Sequence, residues 1–194
     1  MREWANVSVQ SIIFLNIMTT AEITFIITTS IVLLVLAVFV KKINWKGLGF
    51  KPESFFKGWW QILIFNIIIF LLVQLAITNK FIDLPNWMLD KDPILPLLAI
   101  TFLQEILFRG IIINWLERWG QKKALWISVT IFVVFHVIAP YAWSRTGIMF
   151  AGLTFFAGYF WGLHFLKFRN IYLLAISHFL VNLSFNYIVF ATFF

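Results

Sequence analysis

A small set of ionisable and amide side chains interrupts three otherwise apolar stretches, which read TFLQEILFRG, FVVFH and HFLVN. The set consists of Gln104, Glu105, Arg109, His136, His178 and Asn182. A carboxylate, two imidazoles and an amide are the groups with which a hydrolytic site activates water and stabilises an oxyanion. Because the sequence contains no cysteine, a thiol nucleophile and a thiolate metal site are excluded.

A metal site is the second chemistry that these residues allow. His136, His178 and a glutamate could bind zinc and leave one position open for water. The helical zinc motif HExxH is absent from the sequence. We therefore expect a site that requires no cofactor, and zinc or another divalent metal stays open as the alternative.

The spacing of these residues pairs them on helices. Glu105 and Arg109 are one helical turn apart, so the carboxylate can pair with the guanidinium. His178 and Asn182 have the same spacing and would point in a common direction. Either pair alone is also consistent with a structural contact between helices. Convergence of the three stretches, including His136, on one buried pocket favours a functional site.

Membrane helices are the elements that must position this set. Hydrophobic residues make up 62% of the 194 residues and charged residues 12%, whereas soluble domains are roughly half apolar and a quarter charged. Apolar runs bounded by charge, proline or glycine predict an all-α, polytopic bundle of about six transmembrane helices. The predicted spans are 21–40, 58–79, 93–117, 124–140, 148–167 and 171–193. We expect the whole chain, 1–194, to form one membrane domain.

The Lys and Arg residues that give the net charge of +7 lie mostly in short connections between apolar runs. Their distribution therefore indicates the membrane topology. With these six spans, ten of the fifteen Lys and Arg residues fall on one face and four on the other, while Arg109 lies within a span. Cytoplasmic loops are enriched in these residues. We therefore predict a multi-pass protein of the cell membrane with both termini on the non-cytoplasmic side. The lipid bilayer is its expected surrounding, and no nucleic-acid partner is expected.

Other polar residues within the predicted spans are expected to be structural. Asn66 and Gln74 are predicted to form hydrogen bonds between helices. His164, near the basic end of the fifth span, is predicted to reach the membrane interface or to cap. The fifth span also carries a series of small residues that indicates close helix packing. These are Gly147, Ala151, Gly158 and Gly162.

In their order and spacing, the three stretches resemble the motifs of the CPBP family, which includes membrane-embedded CAAX proteases and bacteriocin-processing or immunity proteins. The motifs of that family read EExxxR, FxxxH and HxxxN or HxxxD, on separate membrane helices. The resemblance covers residues 93–185 and implies an intramembrane endopeptidase that acts on a peptide or membrane-protein substrate. It also implies that His136 assists a water-activating base, and that His178 and Asn182 stabilise the oxyanion.

Gln104 departs from this pattern because it occupies the position of the family's first glutamate, the proposed base. An amide cannot accept a proton from water. Glu105 corresponds to the second glutamate, and it points about 100° away from residue 104 on a helix. Three accounts stay open: Glu105 acts as the base through another rotamer, the chain is a natural relative without protease activity, or Gln104 is an introduced substitution that traps an inactive form.

Two functions other than proteolysis are also compatible with the sequence. A catalytically inactive homologue could act as a membrane immunity or scaffold protein that binds a partner in the same pocket. A small transporter could use the carboxylate and the histidines to relay protons. Transporters more often show broken spans or inverted repeats, and neither is visible in the sequence.

Overall fold

In the computed structural model, the described residues are 46–81, 94–137 and 145–185, together with positions 28, 31, 32 and 35. The chain divides into two compact units, Met1–Lys41 and Lys42–Phe194. The three continuous ranges, and with them every candidate site residue, belong to the second unit. The expectation of one membrane domain for the whole chain stays a prediction.

The described ranges contain helices and connecting turns without a strand, so the all-α prediction is confirmed for them. The longer helices are α1 (Trp59–Thr78), α2 (Ile94–Glu105), α3 (Gln121–Val137), α4 (Arg145–Phe168) and α5 (Ile171–Phe185). Shorter helical segments are Pro52–Ser54, Ile106–Ile113, Asn114–Leu116 and Glu117–Trp119. Of these, the last three extend α2 without a break.

Three helices among the described residues are long and apolar enough to cross a membrane. They are α1, the continuous helix Leu97–Trp119, and Ile148–Phe168 within α4. The predicted spans 58–79, 93–117 and 148–167 correspond to these helices. At these three places the sequence pattern predicted the helices correctly.

The structure describes the remaining predicted spans only in part. The helix α3 begins at Gln121, a little before the predicted limit of 124, and α5 is a shorter apolar helix. Residues 138–140 and 186–193, and nearly all of 21–40, lie outside the described residues. A total of about six spans is compatible with the described helices.

The helix α1 has a buried side and an exposed side that are both apolar. Its buried residues are Ile62, Ile69, Val73 and Gln74. Its large exposed side chains include Leu63, Ile64, Ile67, Ile68, Leu71, Leu72 and Leu75. A helix in contact with water would carry polar residues on its outer side. The composition of the exposed side therefore suits contact with lipid.

The helix α5 packs against α1, α2, α4 and the segment that follows α2. Its buried residues are Ile171, Leu173, Leu174, Ala175, Ser177, His178 and Ser184. Asn170 caps its first turn, since the Asn170 Oδ1 accepts a hydrogen bond from the N–H of Leu173 at 3.1 Å. Because several helices surround α5, polar groups on it can form hydrogen bonds with more than one neighbour.

The connection that precedes α1 is fixed to the start of α5. Asn170 Nδ2 donates hydrogen bonds to the carbonyls of Ser54 and Phe55, at 2.9 and 3.0 Å. The N–H of Ile171 donates to the carbonyl of Gly49 at 3.0 Å. Gly49 has a φ of +96°, where glycine is favoured. These bonds fix the base of α5, two turns before His178.

Two predicted hydrogen bonds between helices are confirmed, and one prediction about a histidine is wrong in part. Gln74 Nε2 donates to the carbonyl of Ser184 at 3.0 Å, and Asn66 Oδ1 accepts from the hydroxyl of Ser177 at 3.1 Å. His164 does not extend out of the protein, because it is only 3% exposed. Its Nε2 lies 3.3 Å from a backbone carbonyl of the connection before α1.

Candidate active site

Glu105, the last residue of α2, is completely buried. Its Oε2 lies 3.2 Å from Nε of Arg109, so the predicted ion pair is confirmed. Neither of these two atoms forms a hydrogen bond of acceptable geometry with any described residue. The contact is therefore an electrostatic pairing and not a bidentate hydrogen-bonded one.

Groups from two further helices contact the guanidinium of Arg109. Its Nη2 donates a hydrogen bond to the carbonyl of Gly158 on α4, at 3.3 Å. Its Cζ lies 4.2 Å from the ring centroid of Phe132 on α3. A desolvated cation over an aromatic face gains about 2 kcal/mol. These contacts, together with Glu105, compensate for burial of the positive charge.

The helix changes from α to π geometry directly after Glu105. The π segment is Ile106–Ile113, and within it Phe108, Arg109 and Gly110 are all buried. Single π turns are rare and occur often at functional sites. Here the wide turn presents three consecutive residues to the protein interior and keeps Arg109 beside the carboxylate.

Gly158 permits the close approach of α4 to Phe132. A Cβ at Gly158 would lie 2.9 Å from Cδ1 of Phe132. We expect Gly158→Ala to lower the free energy of unfolding by about 1–3 kcal/mol, because the buried ring must shift. Gly152→Ala on the same helix is the matched control, since a Cβ there meets no atom within 4 Å. Reversible unfolding in mixed detergent micelles measures both, and equal stabilities would contradict this packing.

His178, on α5, is the second partner of the Glu105 carboxylate. Its Nδ1 lies 2.8 Å from Oε1 of Glu105. Since an ionised carboxylate only accepts hydrogen bonds, Nδ1 carries the proton and donates it. Nε2 is then the ring nitrogen with a lone pair in the neutral imidazole. Glu105 therefore fixes both the tautomer and the orientation of the His178 ring.

Trp161, on α4, stacks on the His178 ring, with centroids 4.6 Å apart and planes at 28°. Its indole N–H donates to Oγ of Ser177 at 2.8 Å, and that hydroxyl donates to Oδ1 of Asn66 at 3.1 Å. A buried indole N–H without a partner would be costly. The chain of hydrogen bonds satisfies it and fixes Trp161 against His178.

His136, on α3, forms a hydrogen bond within its own helix. Its Nδ1 donates to the carbonyl of Phe132 at 2.7 Å, because a carbonyl oxygen can only accept. As in His178, Nε2 keeps the lone pair of the neutral ring. The ring centroids of His136 and His178 are 6.3 Å apart. Two potential proton acceptors on different helices thus lie close to each other.

A cavity of about 30 Å³ lies between α1, α3, α4 and α5. Its polar lining consists of His136, Thr154, His178 and Asn182, and its other lining residues are aliphatic or aromatic. This volume holds one or two water molecules, and a buried water needs two to four polar partners. The four polar side chains meet that requirement.

Gln104 is buried, with 7% of its surface exposed, but it is not among the residues that line the cavity. Its Oε1 has no hydrogen-bond partner among the described residues. Glu105 does not line the cavity either. His178 belongs both to the ion-pair group and to the cavity, and it is therefore the link between them.

The sequence predicts a pocket between the third, fourth and sixth spans. The cavity has lining residues from α3 and α5, as expected, and further ones from α4 and α1. The helix α2 contributes through the bond between Glu105 and His178. Thr154, Trp161 and Ser177 were not singled out from the sequence. A tryptophan inside a span, away from the interfacial positions that tryptophan favours, was the available signal for Trp161.

A family model described as type II CAAX prenyl endopeptidase Rce1-like matches residues 92–184. This part of the chain, the Rce1-like region, is similar to that family. No curated protein and no solved structure gives a significant match. The Rce1-like region contains all six residues predicted from the sequence. The long apolar helices, together with this match to an intramembrane protease family, identify the chain as an integral membrane protein.

Within the described ranges, no group of three or more His, Asp or Glu side chains is arranged to hold a metal ion. His136 and His178 share the cavity, but Glu105 lies behind His178 and contacts Arg109. The carboxylate and the two imidazoles therefore do not face a common point. The described residues of the Rce1-like region therefore do not support the zinc alternative.

Proposed function

We propose that the chain is an intramembrane endopeptidase that hydrolyses a peptide bond with water held in the cavity. The observation that carries this proposal is the placing of His136, His178 and Asn182 around one small space in the Rce1-like region. Polar and ionisable groups inside membrane helices are costly and mark functional sites. A structural role alone would not require two helices to direct three polar side chains to one cavity.

The polar groups around the cavity suit the two requirements of hydrolysis. The Asn182 amide can donate hydrogen bonds to the oxyanion that forms when water attacks the carbonyl carbon. The lone pair on Nε2 of His136 can accept a hydrogen bond from the attacking water and orient it. We propose these roles for Asn182 and His136. His178 provides a second imidazole at the cavity.

The proposed substrate is a peptide or a membrane protein. Ligand pockets commonly have volumes of about 300–1,000 Å³, far more than the cavity of about 30 Å³. The cavity therefore has room for water and the reacting carbonyl group, and the rest of a substrate would lie between the helices. The scheme requires no cofactor. We place the protein in the cell membrane, with both termini on the non-cytoplasmic side, as the charge pattern predicts.

Cleavage of transmembrane peptides tests the proposed function. The full chain and its Gln104→Glu variant are reconstituted in liposomes with a set of such peptides, and fragments are identified by mass spectrometry. We expect cleavage by the parent, and a loss of about 100-fold or more on Asn182→Ala because an oxyanion donor is removed. Asn79→Ala, at an exposed end of α1, is the matched control and should retain full activity.

An inactive immunity or scaffold protein is the second candidate, and Gln104 is the observation that favours it. An amide at the position of the family's usual base cannot accept a proton. If neither the parent nor Gln104→Glu cleaves any peptide while the parent still captures a membrane-protein partner, this second function replaces the first.

A further inference from the structure

We infer that His178 takes the proton from water and that Glu105 positions it, so that catalysis does not depend on a carboxylate at residue 104. This assignment rests on the proposed function and names the base within the same site. It gives His178 a different role from the oxyanion contact that the motif resemblance implies. Asn182, one turn further along α5, remains the oxyanion donor.

The geometry separates the carboxylate from the water. Glu105 is completely buried and does not line the cavity. Its Oε1 faces Nδ1 of His178 at 2.8 Å, and its Oε2 faces Nε of Arg109 at 3.2 Å. A rotamer that carried the carboxylate to the cavity would break both contacts and leave Arg109 buried without a counter-charge. Glu105 therefore acts through His178.

His178 has the features of an imidazole held for proton transfer. Its Nδ1–H is engaged by a carboxylate, which leaves Nε2 as the nitrogen available at the cavity. An adjacent carboxylate holds the imidazole in the correct tautomer and stabilises the imidazolium that forms, as in serine hydrolases. The stacked Trp161 ring restricts rotation of the His178 ring. The place of His178 at the cavity and the charge of Glu105 therefore both favour Nε2 of His178 as the proton acceptor.

His136 lacks the corresponding carboxylate. Its Nδ1 donates to the neutral carbonyl of Phe132, so a positive charge on the His136 ring would have no acidic partner among the described residues that contact that ring. Among the residues that the structure describes, the charged and titratable groups near His178 are Glu105, Arg109 and His136. Of these, Glu105 alone is acidic, and it contacts His178 directly. We therefore assign proton transfer to His178 and the orientation of water to His136.

The step balances with water as the co-reactant. One O–H bond of water breaks, its proton moves to Nε2 of His178, and the oxygen forms a bond with the carbonyl carbon. The carbonyl electron pair moves to oxygen, where the Asn182 amide donates to it. As the tetrahedral intermediate collapses, the C–N bond breaks and His178 returns the proton to the departing amine. The products are a carboxylic acid and an amine, and the neutral imidazole is restored.

Four proteins, the parent and three variants, test the assignment in the same liposome and peptide assay. The parent should cleave with Gln104 in place. Gln104→Glu should change kcat by less than about tenfold, whereas Glu105→Gln should lower kcat by about a thousandfold or more with little change in KM, since it disturbs the tautomer of the base. A double variant, Glu105→Gln with Arg109→Leu, keeps the buried site neutral and should show the same loss if the single variant folds poorly.

Nitrogen NMR of the histidine rings gives a readout that does not require a substrate. The chain has three histidines, so single histidine variants assign each signal. In the parent we expect a protonated Nδ1 on His178 in a strong hydrogen bond. That signature should disappear in the double variant, while the signals of His164 should not move. A His178 ring protonated on Nε2 in the parent would overturn the inference.

The outcomes separate the inference from the proposed function. Cleavage by Gln104→Glu alone, with an inactive parent, would overturn the assignment of His178 as the base and leave the protease function standing. Cleavage by the parent that survives in Glu105→Gln would also overturn the assignment. If no protein in the series cleaves, both the function and the assignment fail, even if the NMR signature of the pair is present.

Discussion

Glu105→Ala is expected to lower the free energy of unfolding by about 3–5 kcal/mol, because it leaves a buried charge on Arg109 without its partner. Both side chains of this pair are at most 1% exposed. Adding Arg109→Met should restore most of the loss, since an apolar replacement of a buried ion pair is often neutral. Unfolding in mixed detergent micelles, run as a double-mutant cycle, measures the coupling.

A second ion pair in the protein provides the control for this prediction. Glu117 pairs with Arg169, and their side chains are 18% and 19% exposed. Glu117→Ala should therefore cost about 1 kcal/mol or less, as partly solvated pairs do. Equal losses for Glu105→Ala and Glu117→Ala would contradict the view that the Glu105 pair is shielded.

His178→Ala is expected to lower kcat by about a thousandfold or more, because it removes the proposed proton acceptor. His136→Ala should have a smaller effect, about 10- to 100-fold, since His136 orients the water without accepting its proton. The measurement is the cleavage rate of a transmembrane peptide, normalised to the amount of folded protein.

The third histidine separates a catalytic effect from a structural one. His164 is buried like His178, but its Nε2 contacts a backbone carbonyl outside the cavity. His164→Ala should lower stability and leave kcat per folded molecule unchanged. A loss in kcat as large as that of His178→Ala would show that burial of a histidine, and not its place at the cavity, accounts for the effect.

Contacts within one helix could be predicted from the sequence, because the helical period converts spacing into direction. The pairing of Glu105 with Arg109 followed from a separation of one turn, and the structure shows it at 3.2 Å. His178 and Asn182, also one turn apart, both line the cavity. The apolar runs likewise predicted α1, the helix that contains α2, and α4.

Contacts between helices could not be predicted in the same way. The bond between Glu105 and His178 joins residues 73 positions apart, and it depends on how α2 packs against α5. Trp161 reaches His178 through the close packing of α4, which the small residues of the fifth span indicated without specifying a partner. The π turn after Glu105 has no clear signal in an apolar stretch.

The motifs identified the family more readily than the role of each residue. Motif order predicted the Rce1-like region, which the family match confirms at residues 92–184. Gln104 shows why roles do not follow from position alone, because a carboxamide there cannot perform the chemistry of a carboxylate. Only the three-dimensional arrangement reveals that His178 connects a carboxylate to the cavity without Gln104.

Hydrolysis in water enriched in heavy oxygen tests the central claim most directly. The parent protein, with Gln104 unchanged, is incubated in liposomes with a transmembrane peptide, and the new carboxyl terminus is examined by mass spectrometry. We predict one heavy oxygen atom in that carboxylate, and no product with His178→Ala. A parent that yields no cleaved product, or a His178→Ala variant that cleaves at the parent's rate, would contradict the claim that cavity water activated by His178 hydrolyses the peptide.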